Sequence, residues 1–188
     1  MKPPKPRKCR FCKAGFVPAR PMQIVCDWQC GRALIAKNKE KSDAKKAKAE
    51  RAEIRVRKEK AKTRRQWINE AQTAINAWVR ERDKAEPCIS CGRHHDGQYH
   101  AGHYLSTGAR PGLRFDADRN IWKQCQPCNT HLSGNLLNYR IGLIAKIGLD
   151  AVEALESDHT VKKWPIDELK AIRDEYRAKL KELKAHHD

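Results

Sequence analysis

The stretch Cys88-Ile89-Ser90-Cys91, closed after 33 residues by Cys125-Gln126-Pro127-Cys128-Asn129, decides how this sequence folds. A Cys-x2-Cys pair sits in one tight turn and offers two thiolates to one tetrahedral ion. A second pair completes the site. The N-terminus repeats the pattern with different spacing: Cys9-x2-Cys12, then 13 residues, then Cys26-x3-Cys30. All eight cysteines are thus used in two sets of four. In a secreted chain such sets would read as disulfides; in a cytosolic chain, close pairs read as zinc ligands. The spacing favours two structural zinc ions. The N-terminus is basic but no apolar run follows it, and no stretch of the 188 residues has the length and apolarity of a membrane span. A cytoplasmic protein with no membrane partner is expected.

Charge points outward from that framework. There are 40 Lys+Arg against 23 Asp+Glu, a formal net charge of +17. Two sites of four thiolates and one dication would lower it to about +13. Charged residues make up 34% of the chain, above the usual share of about 25%, so one large apolar core is not expected. Such an excess of cations suits a polyanion, nucleic acid first.

The sequence divides into four parts. Residues 1–30 form a zinc knuckle too small to bury a core, with Phe11, Phe16, Ile24, Val25 and Trp28 as its apolar lining. Residues 31–86 read as one long basic helix, either continuous or interrupted, rich in Ala, Lys, Arg and Glu. Within it, Lys37–Arg65 carries 14 Lys+Arg and 5 Asp+Glu, and most of its apolar residues are Ala. That segment is either a solvated spacer or a stem that lies along phosphates through Lys45, Lys46, Lys48, Arg51, Arg55 and Arg57. Further on, Trp67, Ala71, Ala74, Ile75 and Trp78 recur on one helical face, a packing face. Residues 87–140 hold the second cysteine set. Residues 141–188 are helical, with Gly148 as punctuation and Leu169, Ile172, Tyr176, Leu180 and Leu183 as a stripe for a docking helix or a dimer seam.

Five of the eight histidines fall between Cys88 and Asn138: His94, His95, His100, His103 and His131. Neutral imidazole can take a proton near pH 7, so such a cluster suits metal binding or activation of water. The order of residues here resembles the HNH, or His-Me finger, nucleases, which build a ββα unit around one divalent ion. The strings Ala101-Gly102-His103-Tyr104, Arg114-Phe115-Asp116, Gln124-Cys125-x2-Cys128-Asn129 and Ser133-Gly134-Asn135 resemble, more narrowly, the NinG (Rap) recombination endonucleases of lambdoid phages.

The resemblance implies an α+β, mostly helical protein with a zinc-braced HNH-like core. Tyr99–Leu105 and Ile121–Gln124 would be its strands and Pro127–Leu137 its helix. His103 would be the general base, with Asn120 holding its ring. Asn129 would bind the catalytic metal, Mg or Mn, with His131 as the nearby alternative. The family usually has Asp or His before the base; here that residue is Gly102, and strand alternation puts His100 on the face opposite His103. Arg110, Arg114 and Arg119 would clamp flanking phosphates. Substrates would be strand-invasion loops and Holliday junctions in phage recombination. The implied setting is the bacterial host cytoplasm, with a homodimer and the host recombination machinery as partners. Composition and spacing alone reach a basic zinc protein with a nuclease core. A non-catalytic zinc DNA-binding protein and an HNH nuclease of ordinary duplex are the competing readings.

Overall fold

A computed structural model describes residues 5–185. Met1–Pro4, the first residues of the expected knuckle, lie outside the described residues. The chain divides into two compact units, residues 1–61 and 62–188.

In the first unit a short antiparallel pair, β1 (Arg7–Lys8) and β2 (Gly15–Phe16), brackets the first cysteine turn. Cys9 N–H donates to the Ala14 carbonyl at 2.8 Å, and Lys13 closes the turn with a left-handed φ of 67°. The Asp27 carboxylate accepts the backbone N–H of Cys30 at 2.7 Å. This is N-capping geometry, and it sets Cys30 in the first turn of α1 (Trp28–Ala61). α1 has 34 residues and buries none of them. Its existence rests on the propensity of Ala, Lys, Arg and Glu and on pairs such as Arg57–Glu53 at 2.7 Å. Of the expected apolar lining of the knuckle, Phe16 and Val25 are half-buried, whereas Phe11, Ile24 and Trp28 are 39%, 41% and 67% exposed. Four sulfurs fill the centre of so small a knot and leave no layer for these side chains to cover.

The helix expected over 31–86 is interrupted. α1 ends at Ala61 and α2 spans Arg64–Arg82. The break has a local cause in a capping box. Thr63 Oγ1 accepts the Gln66 N–H, and Gln66 Oε1 accepts the Thr63 N–H.

In the second unit the face of α2 predicted to pack does so. Trp67, Ala71, Ala74, Ile75 and Val79 are buried against Leu169 and Tyr176 of the last helix, here α5 (Ile166–Ala185), with Trp78 and Ile172 at the edge. Trp78 meets Tyr176 edge-to-face at 5.1 Å. Leu169, Ile172 and Tyr176 of the C-terminal stripe are therefore spent on α2 within the chain.

On this pair of helices lies a hairpin, β3 (Tyr99–His103) and β4 (Ile121–Cys125), antiparallel with Tyr99 opposite Cys125 and His103 opposite Ile121. Beyond β4 the expected helix over Pro127–Leu137 is replaced by one π-type turn (Pro127–His131) and a run of left-handed residues, Ser133, Gly134 and Asn135. This detour carries Cys128 to the sulfur cluster before α3 (Leu136–Ile147) starts. Gly148, with φ of 84°, turns the chain into α4 (Leu149–Ser157). Tyr139 and Leu143 of α3 and Val152 and Leu155 of α4 form a second core with Ile89, Tyr104 and Leu113. Among the described residues no helix is long and apolar enough to cross a membrane.

The hairpin is tied to the end of α2 by Arg82 and Asp83. Arg82 meets Asp83 Oδ1 at 2.6 Å and donates to the carbonyls of Ala117 at 2.8 Å and Ile121 at 3.0 Å. Asp83 Oδ2 accepts the backbone N–H of Lys123 at 3.0 Å. Asp83 is 4% exposed. Asp83→Ala would strand the guanidinium and the Lys123 N–H. It should lower stability by about 3 kcal/mol, read from the denaturant midpoint. A change within experimental error would show that the tie carries no stability.

Candidate functional site

The eight cysteines gather into the two predicted clusters, Cys9, Cys12, Cys26 and Cys30 in one and Cys88, Cys91, Cys125 and Cys128 in the other, with the sulfurs of each cluster within 4.8 Å of one another. None forms a disulfide. The sulfurs of Cys12 and Cys26 are 3.6 Å apart, those of Cys26 and Cys30 3.5 Å and those of Cys91 and Cys125 3.9 Å. A tetrahedron with Zn–S bonds near 2.3 Å has edges of about 3.8 Å. The sulfur sets therefore fit a zinc-sized ion.

The second cluster also has donors aimed at its sulfurs. Cys125 N–H points at Cys88 Sγ (3.3 Å) and Asn135 Nδ2 at Cys128 Sγ (3.4 Å). The His95 ring lies 3.3 Å from Cys91 Sγ, so this histidine supports the cluster. Such contacts orient thiolates and stabilise their charge.

His103 ends β3 at the rim of an open cleft of about 430 Å³, whose lining includes His103, Asn129, Ser133 and Gly134. Its Nε2 lies 3.0 Å from the Arg114 carbonyl. A carbonyl only accepts, so Nε2 carries the hydrogen and Nδ1 is the nitrogen left to take a proton. Burial pushes the imidazole below its ordinary value; the Arg114 carbonyl opposes this, and the Arg114 guanidinium adds to it. The ring is thus neutral near pH 7.

Asn120 does not hold the His103 ring, contrary to expectation. It is fully buried, and its amide pins the inter-strand loop: Nδ2 donates to the carbonyls of Leu105 and Leu113, both at 3.1 Å, and Oδ1 accepts the Leu105 N–H at 2.8 Å. All its side-chain valences used in this way serve the loop that carries the Arg114 carbonyl. His131 is exposed and is not among the residues lining the cleft, so of the two expected ligands only Asn129 shares that lining with His103. His100 pairs with Gln124 in the hairpin and has a buried Nε2 without a partner.

The three loop arginines differ. Arg119 is exposed and pairs with Asp116 at 2.6 Å. Arg110 reaches toward His159, 3.4 Å away. Arg114 is half-buried beside His103. On α1, Lys45, Lys46, Lys48, Arg51, Arg55 and Arg57 are all exposed, and Arg57 is paired with Glu53.

Two groups beside the cleft were not singled out from sequence. Tyr104 donates to Glu156, which Arg140 grips at 2.8 and 3.1 Å; burial and then Glu156 push the Tyr104 phenol up to about 12. Gln124 is fully buried behind Gly102, and its Oε1 has no hydrogen-bond partner.

The family model described as Bacteriophage Lambda NinG protein matches residues 1–186. The chain belongs to the NinG family. Its NinG relatives include Protein ninG of Escherichia phage lambda, 44% identical over 98% of this chain and 96% of that protein. Protein ninG of Salmonella phage P22 is 45% identical over 95% of this chain and 94% of its own length. Protein ninG of Escherichia phage 933W is 44% identical with coverage of 98% and 96%. No solved structure matches this NinG chain.

Metal analysis of protein purified without added zinc should give about two zinc per chain, four thiolates to each. A value near zero, with disulfides by mass, would refute the assignment. In an NMR titration the His103 ring should change protonation below the ordinary histidine value of about 6.5, staying neutral at pH 7. A midpoint above that value would mean the burial of this ring does not govern it.

Proposed function

We propose that this NinG chain is a metal-dependent endonuclease on the HNH plan that cuts branched DNA in phage recombination. The observation that carries this reading is that His103 and Asn129 line one cleft, with His103 Nε2 held by a backbone carbonyl so that Nδ1 is left to accept a proton. A random surface histidine has no such support.

Hydrolysis of a phosphodiester adds water to phosphorus and breaks one P–O bond. His103 Nδ1 takes the proton of the attacking water, and the neutral ring at pH 7 makes it competent to do so. The Arg114 carbonyl steadies the imidazolium that results. Asn129 offers an amide oxygen, a hard ligand that suits Mg²⁺ or Mn²⁺. A divalent ion bound there would neutralise the phosphate and the leaving oxygen as a Lewis acid. The half-buried Arg114 adds positive charge next to the base. The exposed cations of α1 supply sequence-independent phosphate affinity, which falls with salt.

Branch preference, a homodimer that cuts both arms of a junction, contact with host recombination proteins and a place in the host cytoplasm follow from the NinG resemblance and belong to this reading. Cutting of ordinary duplex by the same cleft is the second outcome of its test.

The test compares four-way, three-stranded and linear DNA with Mg²⁺ or Mn²⁺. His103→Ala should lose cleavage by about 100- to 10,000-fold while DNA binding stays unchanged. Asn129→Ala should raise the metal concentration needed. Equal rates on all substrates would remove branch selectivity. Absence of any cleavage by the unmutated protein would leave a zinc DNA-binding protein.

A further inference from the structure

Gly102 stands where the resemblance calls for a metal-ligating side chain. Its backbone is an ordinary strand, without the positive φ found at Gly92, Gly134 and Gly148, so conformation does not demand glycine here. Space does. A Cβ at this position would lie 2.3 Å from Gln124 Oε1 and 3.1 Å from Gln124 Cβ. Gln124 lies on β4, two positions from Trp122, the partner of Gly102, and so shares its face.

The orientation of the Gln124 amide is fixed by its partners. Nε2 donates to Ser90 Oγ at 2.7 Å and to the Gly134 carbonyl at 2.6 Å. A carbonyl cannot donate, so the nitrogen must face Gly134 and the oxygen must face Gly102. That oxygen is buried and unpaired. An unpaired buried acceptor is costly, and a fully buried residue that keeps one calls for a partner not made of protein. Asn129 Oδ1 lies 3.1 Å from the same point above Gly102. Two amide oxygens, one of them orphaned, therefore converge on the space that a residue 102 side chain would fill.

We propose that Gln124 Oε1 is a ligand of a divalent-cation site shared with Asn129 Oδ1, supplying from β4 the coordination that Gly102 on β3 does not. This rests on the reading of the cleft as a metal-dependent nuclease site. Two neutral oxygens select a hard cation such as Mg²⁺ or Mn²⁺ and leave its remaining positions to water and phosphate oxygens. They also leave its charge uncompensated by protein. Binding is therefore weak for the free protein and tightens when a DNA phosphate joins the site.

The experiment uses the full chain with both four-Cys clusters loaded with zinc, titrated with Mn²⁺ in the absence of DNA. Free Mn²⁺ is followed by electron paramagnetic resonance and side-chain amides by NMR. In the unmutated protein Mn²⁺ should broaden the Gln124 and Asn129 amide signals first, a readout that needs no variant. Gln124→Ala should weaken Mn²⁺ binding at least about 10-fold while two zinc are retained. Gly102→Asp in the Gln124→Ala background should restore it, because truncation frees the space beside residue 102 for a carboxylate. Unchanged Mn²⁺ affinity in zinc-loaded Gln124→Ala, or Mn²⁺ binding that leaves the Gln124 amide sharp, overturns the assignment. Cleavage of DNA by the unmutated protein together with unchanged affinity in Gln124→Ala would refute this ligand and keep the nuclease reading. Loss of Mn²⁺ binding in Gln124→Ala, with no cleavage of any DNA by the unmutated protein, would support the ligand and refute the nuclease reading.

Discussion

The constraint on which the larger unit depends is that Cys88 and Cys91 must meet Cys125 and Cys128. These four sulfurs draw together the two ends of a 33-residue excursion. The excursion contains β3, the inter-strand loop and β4. Closing it fixes where the hairpin begins and ends, and so fixes where His103 stands. The π-type turn at Pro127–His131 follows from the same demand. An α-helix starting directly after β4 would place Asn129 and Cys128 by helical geometry alone. The looser turn lets Cys128 reach the cluster while Asn129 faces the cleft. The ion that suits these sulfurs would thus be bound energetically to the folding of the cleft.

A second layer of polar contacts holds what the sulfurs position. Asn120 pins Leu105 and Leu113 of the loop that presents the Arg114 carbonyl. Tyr139 donates to the Gly102 carbonyl at 2.8 Å and accepts the Trp122 N–H at 3.1 Å, bridging both strands. Burial pushes the Tyr139 phenol far above its ordinary value, so it stays a neutral donor. Arg82 and Asp83 join the hairpin to α2. Asn120, Tyr139 and Asp83 are buried, Arg82 is half-buried, and each is satisfied, which is why Gln124 Oε1 stands apart from them.

The sequence was most legible where a chemical type recurs at a fixed interval. The cysteine pairs gave both clusters. The spacing of Trp67, Ala71, Ala74 and Ile75 gave the buried face of α2, and Leu169 and Tyr176 gave its partner on α5. The break at Thr63 was also written locally, as Thr63-x2-Gln66 before an apolar face, but the uniform composition on either side hides it. Other features have no local signal. The role of Asn120 depends on loop carbonyls that only the folded backbone brings near. Gln124 reads as an ordinary strand residue until the neighbouring strand shows a glycine beside it. Phe11, Ile24 and Trp28 misled because apolar type predicts burial only where there is a layer to bury against.

α1 has a consequence in terms of length. A helix of 34 residues extends about 51 Å at 1.5 Å per residue. That is the rise of about 15 base pairs of duplex at 3.4 Å each. No residue of α1 is buried, so no core limits how far it runs. A rod that owes nothing to a core can be lengthened or shortened by whole turns without repacking anything. The distance between its ends is therefore set by residue number alone, independently of the packing in the other unit.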